Sequence, residues 1–260
     1  MTAKPAEETR IDSSIGPMLS LLTFSGRVFG RAVSRVRVEG AMNELPQDGP
    51  LILAANHASN LDAVVLGAWL IPKLGRRIQW LGKKELFAWP IVGWVAANNG
   101  VHPVDRGAAD VEAFRLARRI LDEGHVLFVF PEGTRSPDGS LQAAHDGLAS
   151  LALRTGAPIV PVGIAGSSKV WPRGQKVPHP GGHVTIRVGR PFRPAELLPP
   201  DADRRSAKGQ VTAMIMERIA ELLPPSQRGV YAAAVEARAE PGSSAGPTPD
   251  AARTPTATKA

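Results

Sequence analysis

The sequence predicts a single α/β domain, in which a mixed central sheet of about seven strands is flanked by helices and preceded by an amphipathic N-terminal helix. Three observations lead there. Short apolar runs bounded by Gly and Pro alternate with longer segments of helical periodicity. Two of the runs, residues 126–130 and 159–163, are apolar without alternation, as strands covered on both faces are. Polarity then switches abruptly after such runs, at Asn56 and at Pro131, and ligands gather at the carboxyl ends of strands in an open α/β sheet.

Residues 1–14 are polar and read as a disordered N-terminus. In the segment 15–36, Leu21, Leu22, Phe24, Val28, Phe29, Ala32, Val33 and Val36 recur at helical spacings, and Pro17 suits a helix start. Arg27, Arg31 and Arg35, four apart, read as a basic stripe on the other side. Such a helix either lies in a lipid interface or packs with a solvated face. Strands are expected at 36–39, 51–55, 78–81, 101–104, 126–130, 159–163 and 184–188. Helices are expected at 62–70, 85–97 with a break near Pro90, 110–122, 147–154 and 206–223. Gly124 ends the helix before it, and Pro224 and Pro225 stop the last one. The main domain then spans 37–228. Residues 229–260 hold a helix end and a tail of small residues, which buries too little apolar surface to offset its ordering entropy.

A chain of 260 residues with 43% hydrophobic content can bury one large core. It has no cysteine, which excludes disulfides, thiolate zinc sites and cysteine nucleophiles and fits a reducing compartment. A formal charge of +7 favours anionic partners. With 5% aromatics and a single tyrosine, the stacking platforms of a single-strand binder are not evident, so nucleic acid is not expected. No run approaches the roughly 20 apolar residues of a membrane-spanning helix. The opening residues, with Glu7, Glu8 and Asp12, lack the basic start of a signal peptide. Membrane contact, if any, is expected to be peripheral.

Chemistry concentrates in four stretches. His57 and Asp62 stand five positions apart at the polar joint between an apolar strand and an apolar helix. Phe130-Pro131-Glu132-Gly133-Thr134-Arg135-Ser136 follows the most apolar strand, and Gly100-Val101-His102-Pro103-Val104-Asp105-Arg106 and Val160-Pro161-Val162-Gly163-Ile164 complete the set. Taken singly, each has a bland reading: Glu132 could hold a loop backbone or Arg135, Arg106 an ion pair, and Pro161, Val162 and Gly163 a packed strand. Lys83 and Lys84 could be ordinary exposed lysines. His179 and His183 are separated by Pro180, Gly181 and Gly182, so no helical metal pair forms and no metal site is expected.

Together and in this order, with Lys83-Lys84-Glu85-Leu86, these blocks resemble the glycerolipid acyltransferase family, which includes 1-acyl-sn-glycerol-3-phosphate acyltransferases. The resemblance spans residues 35–192. It implies that His57 is a general base that deprotonates an acceptor hydroxyl attacking an acyl thioester. Asp62 would fix the imidazole tautomer, as an Asp does in hydrolase triads. Free imidazole, with a pKa of about 6.5, is a base near neutrality, and no protein nucleophile is needed. Arg135 would bind the acceptor phosphate in a pocket shaped by Glu132, Gly133 and Thr134, with Arg106 as a second phosphate ligand. Pro161, Val162 and Gly163 would offer an acyl contact, and Lys83 and Lys84 a headgroup contact.

The implied partners are a lysophospholipid, an anionic membrane surface, and acyl-CoA or acyl carrier protein as co-substrate, with no cofactor. The implied location is the cytoplasmic face of the cell membrane. One block departs: many relatives carry a basic aromatic segment, roughly Phe-Lys-x-Gly, where this chain has Ala144-His145-Asp146-Gly147. That leaves the acceptor open to another lysolipid or a glycolipid. A non-enzymatic lipid-binding protein is the alternative from another class. A hydrolase is disfavoured because no Gly-x-Ser-x-Gly elbow is present.

Overall fold

The structure, a computed structural model, describes residues 11–104, 110–199 and 203–239. In chain order its elements are α1 (Pro17–Val33), β1 (Ser34–Gly40), β2 (Leu51–Ala55), α2 (Asp62–Leu74), β3 (Ile78–Lys83), α3 (Pro90–Asn98), β4 (Val101–Val104) and α4 (Asp110–Asp122). They continue with β5 (Val126–Val129), α5 (Gly147–Thr155), β6 (Ile159–Ala165), α6 (Ser167–Val170), β7 (Gly182–Val188), α7 (Arg204–Glu221) and α8 (Ala232–Ala239). The seven strands form one mixed sheet in the order β1-β7-β6-β2-β5-β3-β4, with every pair parallel except β6 with β7.

Side chains alternate across the sheet, so neighbours on β2 serve different cores. Leu53 joins Trp80, Phe128, Val162 and Ile186 under α1 and α2, whereas Ile52 joins Leu127 and Ile159 under α4, α5 and α7. All five residues of β2 are buried. That central strand, covered on both faces, ends at the residues that carry the chemistry.

Pro161 lies inside β6, a central strand, where a missing N–H is normally intolerable. Its carbonyl accepts the Gly189 N–H at 2.8 Å, so its ring nitrogen faces the side on which β7 has already ended at Val188. A Cβ on Gly189 would stand 2.7 Å from the Pro161 ring. Gly163 is equally constrained, since a Cβ there would meet Leu222 at 2.7 Å.

Three differences from the sequence reading have physical causes. The helix from residue 62 runs on to Leu74 through Pro72. Pro72 has no N–H for the Ala68 carbonyl one turn back, and Arg27 of α1 donates its Nε to that carbonyl at 2.8 Å instead. Arg27 is therefore bonded to α2, Arg31 lies over the Trp69 ring at 5.8 Å, and Arg35 belongs to β1 because α1 stops at Val33, so no basic stripe forms on the helix. The apolar face of α1 is also turned. Small or short residues face α2, with a Gly30 Cβ placed 2.8 Å from the Trp69 ring and a Gly26 Cβ 3.1 Å from Ala68. Leu21, Phe24 and Val28, on the opposite face, are exposed.

Ile11 is buried, and the Asp12 carbonyl accepts Gln79 Nε2 at 2.7 Å, so residues 11–14 belong to the fold. At the other end α8 returns onto α7, where Arg238 pairs with Glu217 and Glu221 and Val235 is buried. Residues 1–10 and 240–260, on which the expected terminal disorder falls, lie outside the described residues.

Candidate active site

The five parallel strands β2 to β6 deliver their carboxyl ends to one edge of the sheet, where ligands collect in open α/β folds. Asn56 leaves β2 with its side-chain amide used as a spare peptide: Nδ2 donates to the Ile164 carbonyl at 3.0 Å, and Oδ1 accepts the Ile164 N–H at 2.7 Å. This ties the start of the turn to β6. Ser59 closes it, donating Oγ to the Trp171 carbonyl at 2.7 Å while accepting the Leu61 N–H at 3.0 Å.

Asp62 opens α2 and is fully buried. Its Oδ2 accepts the Ala58 N–H at 2.7 Å and the Ser59 N–H at 2.8 Å, and lies 2.8 Å from His57 Nδ1. An oxygen that already accepts two backbone N–H groups meets the imidazole as an acceptor too. Nδ1 therefore carries the proton, and Nε2 keeps its lone pair for a proton from elsewhere. The imidazole is also held by its face, stacked on Phe130 with centroids 3.9 Å apart and planes inclined by 12°. Phe130 in turn meets Phe128 edge-on at 4.9 Å, and Phe128 stacks on Trp80 at 4.3 Å. His57 thus stands at the end of an aromatic row rooted in the sheet.

Glu132 provides the third constraint. It is buried, with Oε1 accepting the His57 backbone N–H at 2.7 Å and Oε2 accepting the Gln142 N–H at 2.9 Å. Burial pushes its carboxyl up to about 7, against the opposing pull of those two hydrogen bonds. Of the two sequence readings for Glu132, loop holding is the geometry observed. The Ser136 N–H donates to the His57 carbonyl at 2.7 Å, so the loop after β5 grips the histidine backbone on both sides.

The structure brings His57, Asp62, Glu132, Gly133, Thr134 and Arg135 together around this turn. Gly133 has φ +68, and a Cβ there would stand 3.2 Å from the His145 ring. Thr134 is exposed and Arg135 half-buried. Arg173 Nη1 donates to the Arg135 carbonyl at 2.8 Å, anchoring its backbone. Lys83, the last residue of β3, and Lys84 after it are exposed. Pro161, Val162 and Gly163 are buried within β6 and take the packing roles described above, with Val162 level with Ala55 at the end of β2. Arg106 lies outside the described residues. The clamp formed by Phe130, Asn56 and Ser59 was not singled out from sequence. Each is an ordinary residue for its element, and only the placing of β2 beside β5 and β6, with the turn after α6 against it, reveals the contacts.

A His–Asp pair at the carboxyl edge of a mixed sheet defines a class, and the comparisons agree with it. A family model described as Acyltransferase matches residues 35–165, half of the chain. The chain belongs to the acyltransferase family. A chloroplastic 1-acyl-sn-glycerol-3-phosphate acyltransferase of Arabidopsis thaliana is 31% identical over 160 residues, covering 61% of this chain and 44% of that protein. A lyso-ornithine lipid O-acyltransferase of Pseudomonas aeruginosa is 39% identical over 132 residues, covering 50% of this chain and 47% of that one. The crystal structure of the 1-acyl-sn-glycerophosphate acyltransferase PlsC from Thermotoga maritima is similar with a TM-score of 0.61 at 28% identity, covering 78% and 79% of the two chains. The chain spans about half the length of the first curated relatives it matches.

Proposed function

We propose that this chain transfers a fatty acyl group from a thioester to the 2-hydroxyl of 1-acyl-glycerol 3-phosphate, giving phosphatidate. The observation that carries the reading is the His57–Asp62 pair, its tautomer fixed by a buried carboxylate and its Nε2 left as a base. Nε2 takes the hydroxyl proton as the oxygen attacks the thioester carbonyl. The C–S bond breaks on collapse of the tetrahedral adduct, and the imidazolium returns the proton to the departing thiolate. The Asp62 charge stabilises the imidazolium between those steps. Arg135 meets the acceptor phosphate with its planar fork. The donor is a thioester of CoA or of acyl carrier protein.

The lipid acceptor is met at a membrane surface, on the cytoplasmic face. Two observations support the membrane contact: Leu21, Phe24 and Val28 of α1 and Trp89, Ile91 and Trp94 at α3 are exposed, and α1 lies against α3. A patch of that kind on one flank suits an interfacial site. Among the described residues no helix is long and apolar enough to cross a membrane.

A second reading keeps the chemistry and changes the acceptor to a lyso-ornithine lipid. The 39% identity to the Pseudomonas aeruginosa protein favours it, as does His145 beside Gly133, where a lysine would give a permanent charge for a phosphate. Purified protein presented with acyl-CoA or acyl carrier protein and a panel of lysolipids decides. Phosphatidate formed from lysophosphatidate is expected. Transfer to lyso-ornithine lipid alone overturns the first reading, and no transfer to any acceptor overturns both.

A further inference from the structure

We propose that a cavity beside the His57 turn, between the end of β6 and the start of β7, seats the phosphopantetheine arm of the acyl donor. The inference rests on the acyl-transfer reading and assigns a place to its second substrate. The cavity encloses about 660 Å³ and shares a wall with the catalytic turn through Ala58, the residue after His57. Its rim carries Lys169, Arg173 and His183. None of the three pairs with a carboxylate among the described residues.

Among the described residues of the lining the only carboxylate is Asp138. It accepts the Ser140 N–H at 2.9 Å and the Ser136 hydroxyl at 2.8 Å, which hold it below the usual carboxylate range. Lys169 and Arg173 outnumber that one negative charge, so the lining is net positive and attracts a phosphate. The remaining described residues of the lining are small, polar or proline, with no large apolar side chain among them. Such a wall suits an arm of amides and hydroxyls and gives an acyl chain nothing to pack against. The chain would run instead toward the exposed apolar flank of α1.

The division between the two substrates follows from Arg173, whose Nη1 binds the Arg135 carbonyl. The loop that carries Arg135 lines the cavity through Pro137, Asp138 and Gly139, and Arg173 holds its backbone at Arg135, leaving the Arg135 guanidinium to the acceptor. CoA and acyl carrier protein share the phosphopantetheine phosphate, and both are accommodated by this chemistry.

The test is steady-state kinetics of the full chain with three donors: acyl-CoA, acyl carrier protein and acyl-pantetheine, which lacks the phosphate. Lys169→Ala combined with His183→Gln is expected to raise KM for a phosphorylated donor about tenfold, leave KM for the lysolipid within twofold, and leave acyl-pantetheine kinetics unchanged. An effect confined to acyl-CoA or to acyl carrier protein identifies the donor. A raised lysolipid KM with unchanged donor KM overturns the proposal, as does an unchanged KM for all substrates. If the wild-type chain transfers to no lysolipid, calorimetric titration with CoA and with the carrier protein reads the cavity alone. Binding of either that the double variant loses supports the site, and absence of binding to both overturns it.

Discussion

Glu132 accepts the backbone N–H of His57 at 2.7 Å from a loop 75 residues downstream, so a buried carboxylate on one strand end fixes the position of the base on another. Asp62 orients the ring, Phe130 supports its face, and Glu132 holds its backbone.

The first prediction concerns the base itself. His57→Ala is expected to lower kcat by about 10³-fold or more, and Asp62→Asn by about 10²- to 10⁴-fold, with circular dichroism unchanged for His57→Ala. Asparagine cannot supply the charge that the imidazolium needs. Retained turnover in His57→Ala would falsify the mechanism.

Glu132 makes stability fall as pH rises towards neutrality. Its folded value of about 7 lies above the ordinary 4.5, so the folded chain binds this proton more tightly than the unfolded chain. The resulting stabilisation is full below pH 4.5 and is lost as pH rises through about 7, by an amount of the order of 3 kcal/mol. Denaturant titrations from pH 4.5 to 8 should show this slope in the wild type and not in Glu132→Gln. The same variant accepts through one atom only, leaves one of the two N–H groups unpaired, and should slow transfer about tenfold.

Phe130→Leu removes the stacked face while keeping an apolar side chain. It is expected to reduce kcat by about tenfold with lysolipid KM nearly unchanged, because the ring positions the base and does not bind the acceptor. A rise in KM alone would assign Phe130 to substrate binding instead.

Leu21→Glu with Phe24→Glu places charge on the exposed face of α1. Binding to anionic vesicles, read by co-sedimentation, should fall at least tenfold, while stability should change by no more than about 0.5 kcal/mol because neither side chain is packed. Unchanged vesicle binding would remove α1 from the membrane contact.

Gly30→Leu tests the other face of the same helix. A Cβ there already lies 2.8 Å from the Trp69 ring, so the larger side chain should destabilise the fold by about 1–3 kcal/mol in thermal or denaturant unfolding.

The behaviour of α1 shows where sequence reading reached its limit. Periodicity located the helix, but a stripe of large apolar residues and a stripe of Gly and Thr are both helical faces. Which one packs depends on how closely the two backbones approach. Here α2 presents Trp69 and Ala68, and only the small face leaves room for them. Arg27 illustrates the same limit, since its partner is a carbonyl released by Pro72, 45 positions away.

By itself the sequence determined the α/β class, the order and approximate extent of the strands and main helices, and the blocks from which the site is built. Those are local properties, written in apolar runs, glycines and prolines. The tertiary structure decided that His57 stacks on Phe130, that Glu132 holds the His57 backbone and not Arg135, and that Pro161, Val162 and Gly163 pack the sheet. Each depends on which strands are neighbours, and strand order is set by the combined packing of both faces of the sheet rather than by any single segment.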